Sequence, residues 1–181
     1  TQRLSQTGVT VNSGVTIQTT NGDLYVTGTG GSDAEGYNYG VLNNGGTITS
    51  GGAGSVTVTG TGGSGAGGHN YGIINTMESS TNFGTIASSG SGTVDVIGIG
   101  GIGGGYNLGV ENPIMSIITS GGVGRIFVKG QGTGGGVGSS NNWGIANGGM
   151  IASGIDGNVT LDGAGGFGDG GSHVGIFNIG M

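Results

Sequence analysis

The sequence lacks the residues on which several classes of protein depend. It contains no cysteine, which excludes disulfides, thiol chemistry and zinc–thiolate sites. Its three basic residues, Arg3, Arg125 and Lys129, form no basic patch, which argues against nucleic acid as a partner. No apolar run approaches the length of about 18 residues that a membrane-spanning helix requires. The sequence therefore predicts neither a nucleic-acid partner nor a transmembrane segment.

Glycine, by contrast, is present in large excess. It supplies 52 of the 181 residues, against a usual share of about 7%. Collagen is excluded because the glycines do not recur at every third position and Pro113 is the only proline. A disordered linker is disfavoured because only 7% of the residues are charged and 32% are hydrophobic. The glycines are therefore expected to serve a folded, repetitive structure.

Three short phrases recur along the chain. The first has apolar residues at its first and third positions and ends in glycine, at Gly28, Gly60, Gly98, Gly130 and Gly163, so that successive copies lie 32, 38, 32 and 33 residues apart. A second phrase follows each copy, as in Asn-Tyr-Gly-Val at 38–41, and a third precedes each copy with an isoleucine two residues before a hydroxyl, as in Ile17 and Thr19. Five complete repeats cover nearly the whole chain.

The phrases alternate with a period of two residues, which is the pattern of β-strands, and no window shows a helical period. Because the same phases recur in every repeat, stacked repeats with parallel strands would bury every apolar column. We predict an all-β fold, a parallel β-solenoid (β-helix) of about five coils with three short strands per coil and a right-handed turn. Residues 1–14 would form a partial N-terminal coil or joining segment, and residues 15–181 the five-repeat solenoid. An antiparallel sandwich, the alternative, would not require identical phases at repeat spacing.

The alternation also predicts which side chains share a column in the interior. Val56, Val94 and Ile126 should lie in one vertical stack. Apolar burial alone does not offset the entropy lost when this chain is ordered, so polar ladders are expected to contribute. One asparagine column and one hydroxyl column have the required phase: Asn43, Asn75, Asn112, Asn147 and Asn178, and Thr19, Ser50, Ser88, Ser120 and Ser153.

No pattern of residues predicts catalysis, a cofactor or a metal site. The carboxylates are scattered, and the densest group, Asp156, Asp162 and Asp169, lacks the spacing of calcium-binding repeat-in-toxin nonapeptides. His69 and His173 occupy related loop positions without a nucleophile or carboxylate phrase around them. A row of threonines that would suit ice binding breaks after two coils. We therefore expect no enzyme activity and no cofactor.

The phrases also carry a resemblance to a known class of proteins. The segments Gly-Thr-Ile-Thr-Ser at 46–50, Val-Thr-Val-Thr-Gly-Thr-Gly-Gly at 56–63 and Asn-Tyr-Gly-Ile at 70–73 resemble the repeats of large bacterial β-strand-repeat surface proteins, similar to filamentous-haemagglutinin-type adhesin passengers. The resemblance covers about residues 15–178. It implies a β-helical fold and secretion to the cell surface or matrix, and it transfers no catalytic or binding residue. The chain departs from those very long proteins in having only five coils.

The expected function is that of a structural subunit of an extracellular filament or matrix, assembled by head-to-tail stacking of solenoids. The chain enters in the third strand of a coil and stops after the same strand, so that a following copy would continue the phase. The residues expected at this polymer interface are apolar: Val9, Val11, Val15, Ile17, Val174, Ile176 and Phe177. The alternatives are an adhesive or spacer segment of a longer secreted surface protein, with surface glycans or cells as partners, and an ice- or glycan-binding face. The expected location is extracellular or at the cell surface.

Overall fold

The structure is a computed structural model that describes residues 6–180, so residues 1–5 of the predicted joining segment and Met181 lie outside the described residues. Within residues 6–180 the chain forms strands, turns and bends, and no helix. Seventeen strands wind into a β-solenoid of about five coils with three strands per coil. The predicted all-β class and the predicted parallel solenoid are both confirmed.

The strands follow the three phrases of the sequence, and we number the coils accordingly. In chain order the strands are β1 (Val9–Asn12); β2 (Thr16–Thr19), β3 (Leu24–Thr29) and β4 (Val41–Asn44) of coil 1; β5 (Thr47–Ser50), β6 (Val56–Thr61) and β7 (Ile73–Ser79) of coil 2; β8 (Asn82–Phe83); β9 (Thr85–Ser88), β10 (Val94–Ile99) and β11 (Val110–Asn112) of coil 3; β12 (Ile117–Ser120), β13 (Ile126–Gln131) and β14 (Ile145–Asn147) of coil 4; and β15 (Met150–Ala152), β16 (Val159–Ala164) and β17 (Ile176–Asn178) of coil 5.

Equivalent strands of successive coils pair in parallel and form three sheets. Sheet A contains β1, β4, β7, β11, β14 and β17, sheet B contains β2, β5, β9, β12 and β15, and sheet C contains β3, β6, β10, β13 and β16. In sheet C, Val94 lies opposite Val56 on one side and Ile126 on the other. All three side chains are buried in the apolar core between the sheets. The predicted vertical stack is therefore confirmed.

The recurrent glycines are required where sheets C and A converge. A Cβ atom on Gly98, at the end of the valine phrase of coil 3, would collide with the carbonyl oxygen of Gly109, which precedes β11. The equivalent collisions in the other coils pair Gly28 with Gly40, Gly60 with Gly72, Gly130 with Gly144 and Gly163 with Gly175. Two of the three phrases therefore contain glycine because their backbones touch, and only a residue without a side chain permits that contact.

Coil 2 ends in a hairpin that the sequence analysis did not predict. Strand β7 continues beyond sheet A and pairs antiparallel with the short β8, where Met77 lies opposite Phe83. This insertion accounts for the longer spacing of 38 residues between Gly60 and Gly98. One coil later, the turn at 113–116 connects β11 to β12 at the same corner between sheets A and B. The connection between sheets A and B is therefore longer in coils 2 and 3 than in the other coils.

Candidate functional site

The predicted asparagine column is a continuous chain of hydrogen bonds inside the solenoid. Each Nδ2 donates to the Oδ1 of the next asparagine at 2.8 Å, in the order Asn43, Asn75, Asn112, Asn147 and Asn178. The same amides cap strand carbonyls of sheet B, as Asn75 does at Ile117 with a distance of 3.1 Å. The ladder has a direction, because each amide up to Asn147 donates to the asparagine of the following coil. At its start, Oδ1 of Asn43 is a buried acceptor without a donor among residues 6–180. Its neighbour in register is the apolar Val11.

The side chains of the predicted hydroxyl column mainly cap backbone carbonyl groups at one corner of the solenoid. One bond joins two of its side chains, from Oγ1 of Thr19 to Oγ of Ser50 at 2.9 Å. The serines donate to the carbonyl oxygens of glycines at the corner between sheets B and C: Ser50 to Gly22, Ser88 to Gly54, Ser120 to Gly124 and Ser153 to Gly157. These hydroxyls therefore supply donors to carbonyl oxygens of the turns at this corner.

A second asparagine ladder was missed by the sequence analysis. Asn38, Asn70, Asn107 and Asn142 are fully buried and are joined from Nδ2 to Oδ1 at 3.0, 3.1 and 3.1 Å. The signal was present, since asparagine opens the second phrase in four of the five repeats. In coil 5 the position is His173, both of whose ring nitrogens are buried without a hydrogen bond among residues 6–180. The ladder therefore ends at Asn142.

Rings form a stack beside this second ladder. His69 lies between Tyr37 and Tyr106, with ring centroids 4.8 and 4.9 Å apart and interplanar angles of 7° and 9°. The three residues share a left-handed backbone, with φ of 61°, 63° and 63° for Tyr37, His69 and Tyr106. His69 therefore belongs to an aromatic stack, whereas His173 belongs to the column of the buried asparagines.

The residues expected at a polymer interface lie at the two opposite ends of the solenoid. Val9 and Val11 are on β1 and Ile17 is on β2, while Ile176 and Phe177 are on β17. Val15, Ile176 and Phe177 are exposed, Val9, Ile17 and Val174 are half-buried, and Val11 is fully buried. The side chain of Phe177 points to the outer face of sheet A, where its ring lies 4.9 Å from that of Trp143.

The outer face of sheet A contains a cleft that crosses coils 3 to 5. It has a volume of about 180 Å³, and its lining includes Glu111, Pro113, Ile114, Trp143, Ala146, Phe177 and Ile179. A neighbouring hollow of about 460 Å³ lies beside it, lined by Phe83, Met115 and Met150 among others, and it shares Ile114 and Ile179 with the cleft. Among the described residues that line the cleft, Glu111 is the one with an ionisable side chain.

Burial perturbs the titration of Glu111 and of its neighbour Tyr71. Burial raises the pKa of the Glu111 carboxyl to about 7. Burial, and then the charge of Glu111, raise the pKa of the Tyr71 hydroxyl above its ordinary range. Sequence analysis passed over Glu111, although it is a carboxylate in an outward column whose other members on β4 to β17 are Leu42, Ile74, Ala146 and Phe177.

Two ion pairs lie on the surface of the described part of the chain. Asp95 lies 3.3 Å from Arg125, and Asp162 lies 3.6 Å from Lys129. Within the described part of the chain, no group of three histidine, aspartate or glutamate side chains is close enough to hold a metal ion. In residues 6–180 there is also no helix that is long and apolar enough to cross a membrane.

The chain matches no protein-family model, no curated protein sequence and no solved structure. The features of the solenoid that bear on its function are its two ends, its asparagine ladders and the cleft on sheet A.

Proposed function

We propose that the protein is a structural subunit of an extracellular filament or matrix, in which solenoids stack head to tail. The observation that carries this proposal is that each end of the stack presents one edge strand of each of the three sheets. Among residues 6–180, β1, β2 and β3 are the edge strands at one end, and β15, β16 and β17 are the edge strands at the other. Unpaired strand edges bind further strands readily. A head-to-tail contact of this kind does not close, so it produces a filament.

The inner column of sheet A matches across such a joint. If β17 of one copy pairs with β1 of the next, this column continues in the register seen inside the solenoid, and Ile176 covers Val9. Ile176, which is 38% exposed, would become buried. Sheet A has six strands along the axis whereas sheets B and C have five each, so the joint leaves one strand position open in each of those two sheets.

One column does not match. The asparagine ladder ends at Asn178, whose counterpart on the next copy is Val11. The Nδ2 donor of Asn178 would meet an apolar side chain, at a cost of roughly 1–3 kcal/mol if no other acceptor is found. The joint is therefore weaker than a step between two coils of one chain, and a filament would separate at its joints.

Two lysine variants test the proposal, one with the new charge at the end of the stack and one with it on the side of the solenoid. Ile176→Lys places an ammonium group in the joint, whereas Thr160→Lys places the same group on the outer face of β16. We expect the unaltered protein and Thr160→Lys to form filaments by negative-stain microscopy and sedimentation. Ile176→Lys should remain folded by circular dichroism and fail to form filaments.

A mixing experiment makes the test sharper. A small proportion of Ile176→Lys added to the unaltered protein should shorten the filaments, because the variant joins through its intact β1 end and then stops growth. An unaltered protein that stays monomeric at high concentration would contradict the proposal. So would an Ile176→Lys variant that forms filaments as long as those of the unaltered protein.

The second candidate is an adhesive or spacer segment of a longer secreted surface protein, with surface glycans or cells as partners. The observation that favours it is that the hairpin β7–β8 projects from the side of the solenoid and that the cleft opens on the outer face of sheet A, not on the end surface. In that case the end strands would pair with further coils of the same chain. A purified chain that remains a short monomer but binds cells or glycan surfaces would support this candidate.

A further inference from the structure

The cleft on sheet A exists because a small side chain stands between two large ones. Glu111, Ala146 and Phe177 lie in register on β11, β14 and β17, with their side chains on the outer face of the sheet. Neighbouring strands are about 4.8 Å apart, so the backbones that carry Glu111 and Phe177 are separated by about 9.6 Å. Ala146 fills little of the space between them and forms the floor of the cleft.

Two aromatic rings form one side of this space, and they are held in place. Nε1 of Trp143 donates a hydrogen bond to the carbonyl oxygen of Ser172 at 3.2 Å. The indole also lies 4.9 Å from the ring of Phe177, at an interplanar angle of 33°. Pro113 and Ile114 contribute the remaining lining near Glu111. The cleft is therefore built from oriented rings and a turn.

Glu111 has no hydrogen bond or ion pair among residues 6–180, although it is half-buried. A carboxylate in apolar surroundings loses hydration and is costly unless a cation or a donor compensates it. No described side chain of the lining supplies that compensation: the indole N–H is bound to Ser172, and the Asn147 amide is bound within the ladder.

The geometry points to a binding site for a small organic cation of the quaternary-ammonium class, held between the carboxylate of Glu111 and the rings of Trp143 and Phe177. Quaternary nitrogens carry charge without N–H groups and are attracted by aromatic faces. A primary ammonium would bring three N–H donors into a lining that offers Glu111 as its free side-chain acceptor. The site thus selects a cation whose nitrogen carries four carbon substituents and no N–H group.

Binding should depend on pH through Glu111, because the cation requires the ionised carboxylate. Since burial raises the pKa of Glu111 to about 7, affinity should increase as the pH rises through that value. The outward neighbours of Glu111 on β7 and β14, Ile74 and Ala146, carry no charge. The nearby hydroxyl of Tyr71 stays protonated in this range because its own pKa is raised.

The fluorescence of Trp143, the single tryptophan of the chain, reports on the site directly. The probes are choline and its uncharged isostere, in which carbon replaces the nitrogen. We expect choline to produce a saturable change in emission above pH 7, a weaker response below it, and the isostere to bind less tightly by about tenfold or more.

Matched variants separate charge from shape. Glu111→Gln keeps the size of the side chain and should weaken choline binding by about tenfold or more. Glu78→Gln removes an exposed carboxyl outside the cleft and should leave binding unchanged. The proposal is overturned if choline and its isostere bind equally well, if Glu111→Gln binds choline like the unaltered protein, or if choline produces no saturable change. None of these measurements depends on filament formation.

Discussion

At the scale of single residues, the buried asparagine amides connect neighbouring coils of this narrow interior. The core side chains are mostly valine and isoleucine, and they occupy a space that closes completely where the glycines of sheets C and A touch. An asparagine in this space is acceptable because both ends of its amide are bonded. Asn112 accepts from Asn75 and donates to Asn147 and to the carbonyl oxygen of Met150.

Asn112→Leu should lower the free energy of unfolding by about 1–3 kcal/mol. Leucine has a similar volume, but it leaves Oδ1 of Asn147 without its donor in the ladder and removes an acceptor from Asn75. Asn178→Leu, at the exposed end of the same ladder, is the matched control and should cost less. Denaturant unfolding measures both changes. Equal losses in the free energy of unfolding would show that the interior hydrogen bonds contribute no more than the bond at the exposed end.

Glu111 should make stability depend on pH. Its pKa is about 7 in the folded state against an ordinary value of 4.5, so the folded state binds the proton more tightly than the unfolded chain. The stabilising effect of this protonation is complete below about 4.5 and is lost as the pH rises to about 7. The melting temperature of the unaltered protein should therefore fall, relative to Glu111→Gln, across that interval. A constant difference between the two melting temperatures across the interval would contradict the assignment, and Glu78→Gln is the control.

At the scale of structural elements, the contact between paired glycines sets where each coil turns from sheet C to sheet A. This contact uses the fifth residue of the valine phrase and the glycine that precedes the next strand of sheet A. Because both partners are backbone atoms, the contact cannot be relieved by a rotamer change. The same two glycines recur in all five coils for this reason.

Gly98→Ala should lower the melting temperature strongly, since its Cβ would collide with the carbonyl oxygen of Gly109 and with Val110 in the middle of the solenoid. The expected loss is in the range of overpacked cores, about 1–3 kcal/mol or more. Gly22→Ala is the control, because no atom lies within 4 Å of a Cβ placed there. Its effect should stay within about 0.5 kcal/mol. Thermal unfolding of the two variants decides the point, and similar melting temperatures would refute the close contact.

At the scale of the whole molecule, the solenoid is a one-dimensional stack in which each coil is supported by its neighbours. Both asparagine ladders run along the stacking axis and are directed the same way, from Asn43 towards Asn178 and from Asn38 towards Asn142. The two ends of the stack are therefore chemically different. This difference is consistent with the head-to-tail joint proposed above, and a head-to-head joint would reverse the direction of both the ladders and the strands.

The sequence alone was sufficient to determine the class, the number of coils and the phase of the core. Side chains alternate with a period of two residues in a strand, so the apolar phase of each phrase shows which residues face inwards. Equal phases at repeat spacing then place Val56, Val94 and Ile126 in one column, as the register shows. The same repeat spacing predicts that the side chain of Asn112 faces the interior.

What the tertiary structure alone decided are the contacts that depend on differences between coils. Glu111 occupies a solvent-facing phase in the sequence, and its burial arises because Trp143, Pro113 and Ile114 approach it from the following coil and turn. Each serine hydroxyl of the column donates to a carbonyl oxygen of a corner turn, a partner that the phase of the strand does not reveal. A repeat pattern specifies what every coil has in common. The cleft, by contrast, forms where the side chains of one coil differ from those of its neighbours, and such a difference produces a cavity only once the coils are stacked.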